Sequence, residues 1–79
     1  MTEEEIFRRV TEVFRDLLDN DSILLQRGTT ANDIEEWDSL AHISLIVAVE
    51  KEFNVKFDIF ELKSLGNVGE MVDLIKLKI

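Results

Sequence analysis

Hydrophobic residues recur along the chain at helical spacing, and four segments carry this pattern. In the first segment the apolar residues share one side of a helix, with Ile6, Val10, Val13 and Leu17 in line and Phe7, Phe14 and Leu18 alongside. This spacing predicts a helix from about Glu3 to Leu18 with a broad core-facing stripe. Thr2 and Glu5 stand where a capping box would begin that helix.

Three more helices are predicted further along the chain. Their expected spans are Ser39 to Phe53, with Asp38 as the N-cap; Ile59 to Lys63, with Asp58 as the cap; and Val68 to Lys78, with Asn67 and Glu70 as a cap pair. One face of the last helix collects Val68, Met71, Val72 and Ile75, which marks its core side.

The segment between the first two helices, residues 19–37, has no clear period. Its apolar residues indicate a loop pinned across the helices: Ile23, Leu24, Leu25 and Ile34. The chain has no proline and only three glycines, and no run alternates with the period of a strand. We therefore predict one all-α domain over residues 1–79, a small four-helix bundle of three main helices and one short helix, with a long loop between helices one and two.

The second helix carries more apolar surface than a single core face needs. On a helical wheel one apolar arc contains Leu45, Ile46, Val49 and Phe53, and a second contains Leu40, Ile43 and Val47, with Glu50 between the two. Either this helix is buried on two sides or the second arc faces a partner.

Composition narrows the range of functions. The net charge is −8, of which −7 falls on residues 1–38 and −1 on residues 39–79, and cysteine is absent. Negative charge repels phosphate backbones, so we expect no nucleic-acid partner and favour basic protein surfaces. No signal peptide or apolar run of membrane-spanning length is present, so we expect no membrane insertion and a cytoplasmic location. We also expect a monomer. A domain of this size has little room for a deep substrate pocket, which weakens any enzyme hypothesis.

Ser39 is the main candidate for chemistry. As the first residue of the second helix it would lie beside unpaired backbone N–H groups, where an attached phosphate is favourable. Local chemistry alone nevertheless favours a serine that merely helps to cap the helix. A catalytic serine is disfavoured, because Asp38, Ser39 and the only histidine, His42, cannot be aimed in series from one helix start. We expect His42 to be a half-buried packing residue and Trp37 to anchor the end of the loop.

The order of these features resembles the acyl carrier protein family over essentially the whole chain. An amphipathic first helix and a long loop precede "DSL" at 38–40, which opens the second helix, and "E-x-x-F" at 50–53 closes it. A short third helix and the final "VGEMVDLI" follow. The tripeptide "DSL" is a weak signal by itself, but at this position in an acidic four-helix pattern it is specific.

The resemblance implies a role for particular residues. In the family, the serine of this motif carries a 4′-phosphopantetheine arm, which a phosphopantetheinyl transferase takes from coenzyme A, and Ser39 is the matching position. Asp38 matches the acid beside which the transferase places its metal and phosphate. The arm's thiol holds acyl groups as thioesters for acyl-loading and acyl-processing enzymes, and the carrier itself catalyses nothing.

The resemblance also implies a partner surface and a shelter for cargo. Leu40, Ile43 and Val47, with Glu50 beside them, match partner-facing positions near the arm. This favours the partner interpretation of the second arc. Short acyl chains would be sheltered between helices two and three, next to Ile46, Phe57, Ile59 and Leu62.

Two departures separate the chain from carriers of primary fatty-acid synthesis. Those carriers usually have several acids along helix two, whereas Ala41, Ser44 and Lys51 occupy three such places here and leave Glu50 and Glu52. The common "Leu-Gly" before the motif is replaced by Ile34-Glu-Glu-Trp37. We therefore favour a dedicated carrier for a polyketide, a modified lipid or an activated amino or hydroxy acid. The alternatives are a small acidic helical interaction module without a prosthetic group, and a carrier-like fold that has lost modification.

Overall fold

The computed structural model describes residues 1–79 and contains helices and no strands. Its four α-helices are α1 (Glu3–Leu17), α2 (Ser39–Phe53), α3 (Ile59–Lys63) and α4 (Val68–Lys78), and a 3-10 turn spans Ala31–Asp33. The predicted all-α four-helix architecture is therefore confirmed, with a long connection between α1 and α2. The 3-10 turn inside that connection was not predicted.

Side-chain caps begin each α-helix at the predicted residue. Thr2, Asp38, Asp58 and Asn67 each accept a hydrogen bond from the backbone N–H three residues later. In a capping box the acid would accept from the backbone N–H of the cap residue. Here the Glu5 carboxylate instead accepts from the Thr2 hydroxyl, and the Glu70 carboxylate accepts from the Gly66 N–H. These bonds satisfy donors that a helix leaves unpaired, which explains why the helices begin where they do.

The core lies where α1 packs against α2 and α4. The buried apolar residues of the three long helices are Ile6, Val10 and Phe14 of α1, Leu45, Ile46, Val49 and Phe53 of α2, and Val68, Met71, Val72 and Ile75 of α4. The predicted core faces of α2 and α4 are thus confirmed residue by residue.

The predicted core stripe of α1 is correct at its start and wrong at its end. Leu17 is 41% exposed and Val13 is half-buried, whereas Phe14 is fully buried. The reason is Trp37, whose ring meets Phe14 edge to face with centroids 4.9 Å apart. This aromatic contact centres the buried stripe of α1 on Phe14 rather than on the line that ends at Leu17.

The connection between α1 and α2 is packed against the helices, as predicted. Ile23 is buried, and Leu25 and Ile34 lie half-buried against the core, but Leu24 is exposed and the prediction for it is wrong. The side chain of Arg15 donates from Nε to the carbonyl oxygen of Ile23 at 2.8 Å. A side chain of α1 therefore holds the loop in addition to the apolar contacts.

A second part of the connection is bonded to the start of α4. The backbone N–H of Val68 donates to the carbonyl oxygen of Thr29 at 2.9 Å, and that of Gly69 donates to the carbonyl oxygen of Arg27 at 2.8 Å. Both donors belong to the first turn of α4, where no partner exists inside the helix. The loop therefore completes the N-terminus of α4, and the arrangement fixes where residues 27–29 lie.

Candidate functional site

Ser39 is exposed and is the first residue of α2. The cap belongs to Asp38, whose Oδ1 accepts from the N–H of Ala41 at 2.8 Å. The Ser39 hydroxyl forms no hydrogen bond within the chain, so the capping role that local chemistry favoured for it is not the one it has. A hydroxyl that is exposed, uncommitted and placed at the positive end of a helix is well suited to carry a phosphate ester.

A buried tryptophan supports the residues that precede Ser39. Trp37 lies almost fully buried against Phe14, and its Nε1 donates to Nδ1 of His42 at 3.1 Å. His42 is half-buried. The expectations that Trp37 anchors the end of the loop and that His42 packs half-buried are therefore confirmed, and the bond between them is new.

The positions of Ser39 and His42 do not form a nucleophile–base pair. The Ser39 hydroxyl has no bond to the imidazole, and Nδ1 of His42 is occupied by the indole of Trp37. A catalytic serine needs a base within hydrogen-bond reach, itself oriented by a third group. The geometry thus gives no support to a hydrolase.

The second apolar arc of α2 faces outward. Leu40, Ile43 and Val47 are 79%, 65% and 45% exposed. Of the two alternatives for this arc, burial on two sides is therefore wrong. Phe60 of α3, which sequence reasoning passed over, is 78% exposed, and its neighbour Ile59 is exposed as well. Short amphipathic helices leave no clear periodicity, so the pattern carried no signal for Phe60.

The acids on α2 are already used within the fold. Glu50 is half-buried, and its Oε2 accepts from the backbone N–H of Phe57 at 2.8 Å. Glu52 pairs with Arg9, with Oε2 and Nε 3.2 Å apart. The exposed arc of α2 is consequently apolar and carries no free carboxylate.

The expected shelter for cargo is only partly assembled. Ile46 and Phe57 belong to the packed core and Leu62 lies half-buried against it, whereas Ile59 is turned to solvent. A partly open cavity of about 90 Å³ lies elsewhere, next to the start of α2, and is lined by Ala31, Trp37, His42, Leu65, Gly66, Asn67 and Met71. That volume is smaller than the roughly 150 Å³ of an engineered cavity that holds benzene.

No group of three or more histidine or acidic side chains is placed to hold a metal ion. None of the helices is both long enough and apolar enough to cross a membrane.

Comparison with known proteins gives relatives over the full length of the chain. No protein-family model matches. The acyl carrier protein of Petrotoga mobilis is 35% identical over 81 residues, covering 100% of this chain and 93% of that protein. The acyl carrier protein of Guillardia theta is 31% identical and covers 100% of this chain and 98% of its own length. The chain belongs to the acyl carrier protein family.

A solved structure agrees with this assignment. The solution NMR structure of holo acyl carrier protein from Geobacter metallireducens superposes with a TM-score of 0.86 and 47% sequence identity, covering 91% of this chain and 83% of that one. Acyl carrier proteins are carriers rather than enzymes, which confirms the expectation that this chain is not an enzyme. The family implies a covalent 4′-phosphopantetheine, together with a phosphopantetheinyl transferase and acyl-processing enzymes as partners. The free hydroxyl of Ser39 fits the attachment of such a group.

Proposed function

We propose that this acyl carrier protein holds acyl intermediates as thioesters on a 4′-phosphopantetheine arm attached to Ser39. The observation that carries the proposal is the Ser39 hydroxyl, which is exposed at the first residue of α2 and bonded to nothing else in the chain. Attachment there displaces no existing contact. The arm can therefore be added to the folded protein without disturbing the core.

The attachment step is a transfer from coenzyme A. The Ser39 oxygen forms a phosphodiester bond to the phosphorus of the pantetheine phosphate, the hydroxyl proton is lost, and adenosine 3′,5′-bisphosphate leaves. The positive end of the α2 dipole would stabilise the charge of the new phosphate. Asp38, exposed and adjacent, is the residue beside which the transferase would place its metal ion.

The surface that partners contact is the outward arc of α2. Leu40, Ile43 and Val47 form an apolar strip that begins directly after Ser39, and Glu50 borders it. Above the strip, Glu35, Glu36 and Asp38 supply exposed negative charge. A partner of matching chemistry has an apolar groove for α2 with basic residues at the end that receives Ser39.

The pathway we propose is a dedicated one, for a polyketide, a modified lipid or an activated amino or hydroxy acid, rather than primary fatty-acid synthesis. The support is the charge of α2, since Glu50 and Glu52 are both engaged within the fold and Ser44 and Lys51 are exposed. An enzyme that docks by a basic surface therefore meets few free carboxylates along this helix. If the holo protein replaced the primary carrier in a reconstituted fatty-acid elongation reaction at comparable rate, this part of the proposal would be wrong.

The test of the attachment site is intact mass. The apo protein is incubated with coenzyme A, Mg²⁺ and a broad-range phosphopantetheinyl transferase, and the wild type is expected to gain one phosphopantetheine. Ser39→Ala should gain none, while Ser44→Ala, an exposed serine on the same helix, should be modified like the wild type. No gain with several transferases would instead favour an interaction module without a prosthetic group, or a carrier that has lost modification.

A further inference from the structure

The first turn of α2 is tied to the core by a single side-chain hydrogen bond. Trp37 is fixed against Phe14 of α1, and its indole N–H reaches Nδ1 of His42 at 3.1 Å, with the two ring planes inclined by only 21°. The backbone N–H of His42 donates to the carbonyl oxygen of Asp38 at 2.9 Å, on the same turn that presents Ser39. The turn that presents Ser39 is therefore joined to the core by a bond between two aromatic side chains.

That bond exists in one protonation state only. An indole N–H is a donor and never an acceptor, so Nδ1 of His42 must carry a lone pair and the ring must be neutral with its proton on Nε2. A protonated imidazole has N–H groups at both nitrogens. Two donors would then face each other, and the link between Trp37 and His42 would be broken. Histidine is the side chain that changes charge between about pH 5 and 8.

No carboxylate is hydrogen-bonded to the His42 side chain, whose one hydrogen-bond partner is Trp37. The cavity wall that His42 shares with the first loop, the α3–α4 connection and α4 contains no second titratable side chain. Carboxylates on the adjoining segments are mostly bonded elsewhere: Asp33 to the Thr30 N–H, Glu36 to Asn20, Asp38 to Ala41 and Glu70 to Gly66. Glu35 is exposed and forms no hydrogen bond.

We propose that His42 is a positioning residue for the modification of Ser39, and that it acts in its neutral form. The neutral ring, held by Trp37, keeps the first turn of α2 in the orientation that presents the Ser39 hydroxyl. Protonation releases that turn and slows the attachment of the arm. This inference rests on the proposed function in taking Ser39 as the modified residue, but the state of the helix start can be measured independently.

The first experiment follows the helix start in the apo protein. Trp37 and His42 are the only tryptophan and the only histidine, so a fluorescence titration between pH 8 and 5 follows the environment of Trp37, and comparison with His42→Asn isolates the part that depends on His42. Amide hydrogen exchange at Ala41 and His42 is measured over the same range and compared with His42→Asn, which keeps an acceptor near the Nδ1 position and does not titrate. On acidification, the exchange rate of the wild type divided by that of His42→Asn should rise about two- to tenfold. This factor corresponds to the free energy of one net hydrogen bond.

The second experiment measures the positioning itself. The kcat/KM of a phosphopantetheinyl transferase is determined for the wild type and for His42→Asn at each pH, and their ratio cancels the pH dependence of the transferase. The kcat/KM of the wild type divided by that of His42→Asn should fall about two- to tenfold from pH 8 to pH 5. His42→Leu has no acceptor, so its kcat/KM should be low at every pH. A constant ratio, or exchange at the helix start that follows the variant, would overturn the proposal. If no protein is modified at any pH, the proposed function fails instead, and the exchange data still decide whether His42 controls the helix start.

Discussion

The backbone N–H of Gly69 donates to the carbonyl oxygen of Arg27 at 2.8 Å, so the start of α4 rests directly on the long loop. A Cβ on Gly69 would lie 2.9 Å from that oxygen and 3.0 Å from Cβ of Arg27. Two pieces of backbone can approach this closely only because residue 69 has no side chain. The close approach of the loop to the start of α4 therefore requires a glycine at position 69.

Gly69→Ala should accordingly destabilise the protein. The new methyl group must push residues 27–29 away from α4 and stretch the bonds that complete its first turn. We expect a loss of about 1–3 kcal/mol in the free energy of unfolding, measured by urea denaturation. Gly28→Ala is the matched control, because a Cβ there meets nothing within 4 Å and its φ is not positive. Equal losses from the two substitutions would contradict the close contact at Gly69.

Ser39 and Asp38 should differ sharply in what they contribute to stability. Asp38 provides the cap of α2, so Asp38→Ala should cost about 0.5–2 kcal/mol. The Ser39 hydroxyl is unbonded, so Ser39→Ala should change the free energy of unfolding by no more than about 0.5 kcal/mol. Chemical denaturation of both apo variants measures this. A larger loss from Ser39→Ala than from Asp38→Ala would show that the serine, and not the aspartate, holds the helix start.

The pair formed by Arg27 and Asp73 predicts a specific response to acid. The hydrogen bond from Arg27, with Nη2 and Oδ2 2.7 Å apart, lowers the pKa of the Asp73 carboxyl. A carboxyl with a lowered pKa contributes stability that is present above the ordinary value near 4 and is lost as the pH falls through the lower pKa of the folded chain.

Asp73→Asn removes that contribution and tests whether the pKa of Asp73 is lowered in the folded chain. The difference in free energy of unfolding between the wild type and the variant should be largest near neutral pH and should shrink as the pH falls below about 4. Asp16→Asn, an exposed aspartate on α1, serves as the control. A difference that grew on acidification would mean that the pKa of Asp73 is raised rather than lowered.

The outward arc of α2 can be tested with two leucines of similar exposure. Leu40 on α2 is 79% exposed and Leu77 on α4 is 84% exposed, so truncation of either should leave the free energy of unfolding within about 0.5 kcal/mol. Leu40→Ala should nevertheless lower the kcat/KM of the transferase about tenfold, as loss of a central apolar contact does at an interface. Leu77→Ala should leave that kcat/KM unchanged. Equal effects on kcat/KM would place the partner surface elsewhere.

Several elements could be predicted to the residue because their signals are local. Asp38 caps α2 and Phe53 ends it, both as predicted. The core face of α2 follows from the same helix alone. Local signals of this kind need no knowledge of what lies across the fold.

Other features depend on contacts between distant parts of the chain and could not be predicted. The six apolar residues of α1 allow more than one buried face, and Trp37 selects the one centred on Phe14. The bonds from residues 27–29 to α4 join backbone groups, which leave no mark in the side-chain pattern. At the site, the motif located Ser39 and Asp38, but the bond between Trp37 and His42 required the packed structure.

The central claim is that Ser39, and no other hydroxyl, carries the arm. Fragment mass spectrometry of the transferase-treated protein locates the added group directly, since the chain has three other serines, Ser22, Ser44 and Ser64. We predict that all of the added phosphopantetheine lies on the fragment that contains Ser39, at one group per chain. An added group on any other residue, or none on the Ser39 fragment when the transferase modifies a control carrier fully, would contradict the account.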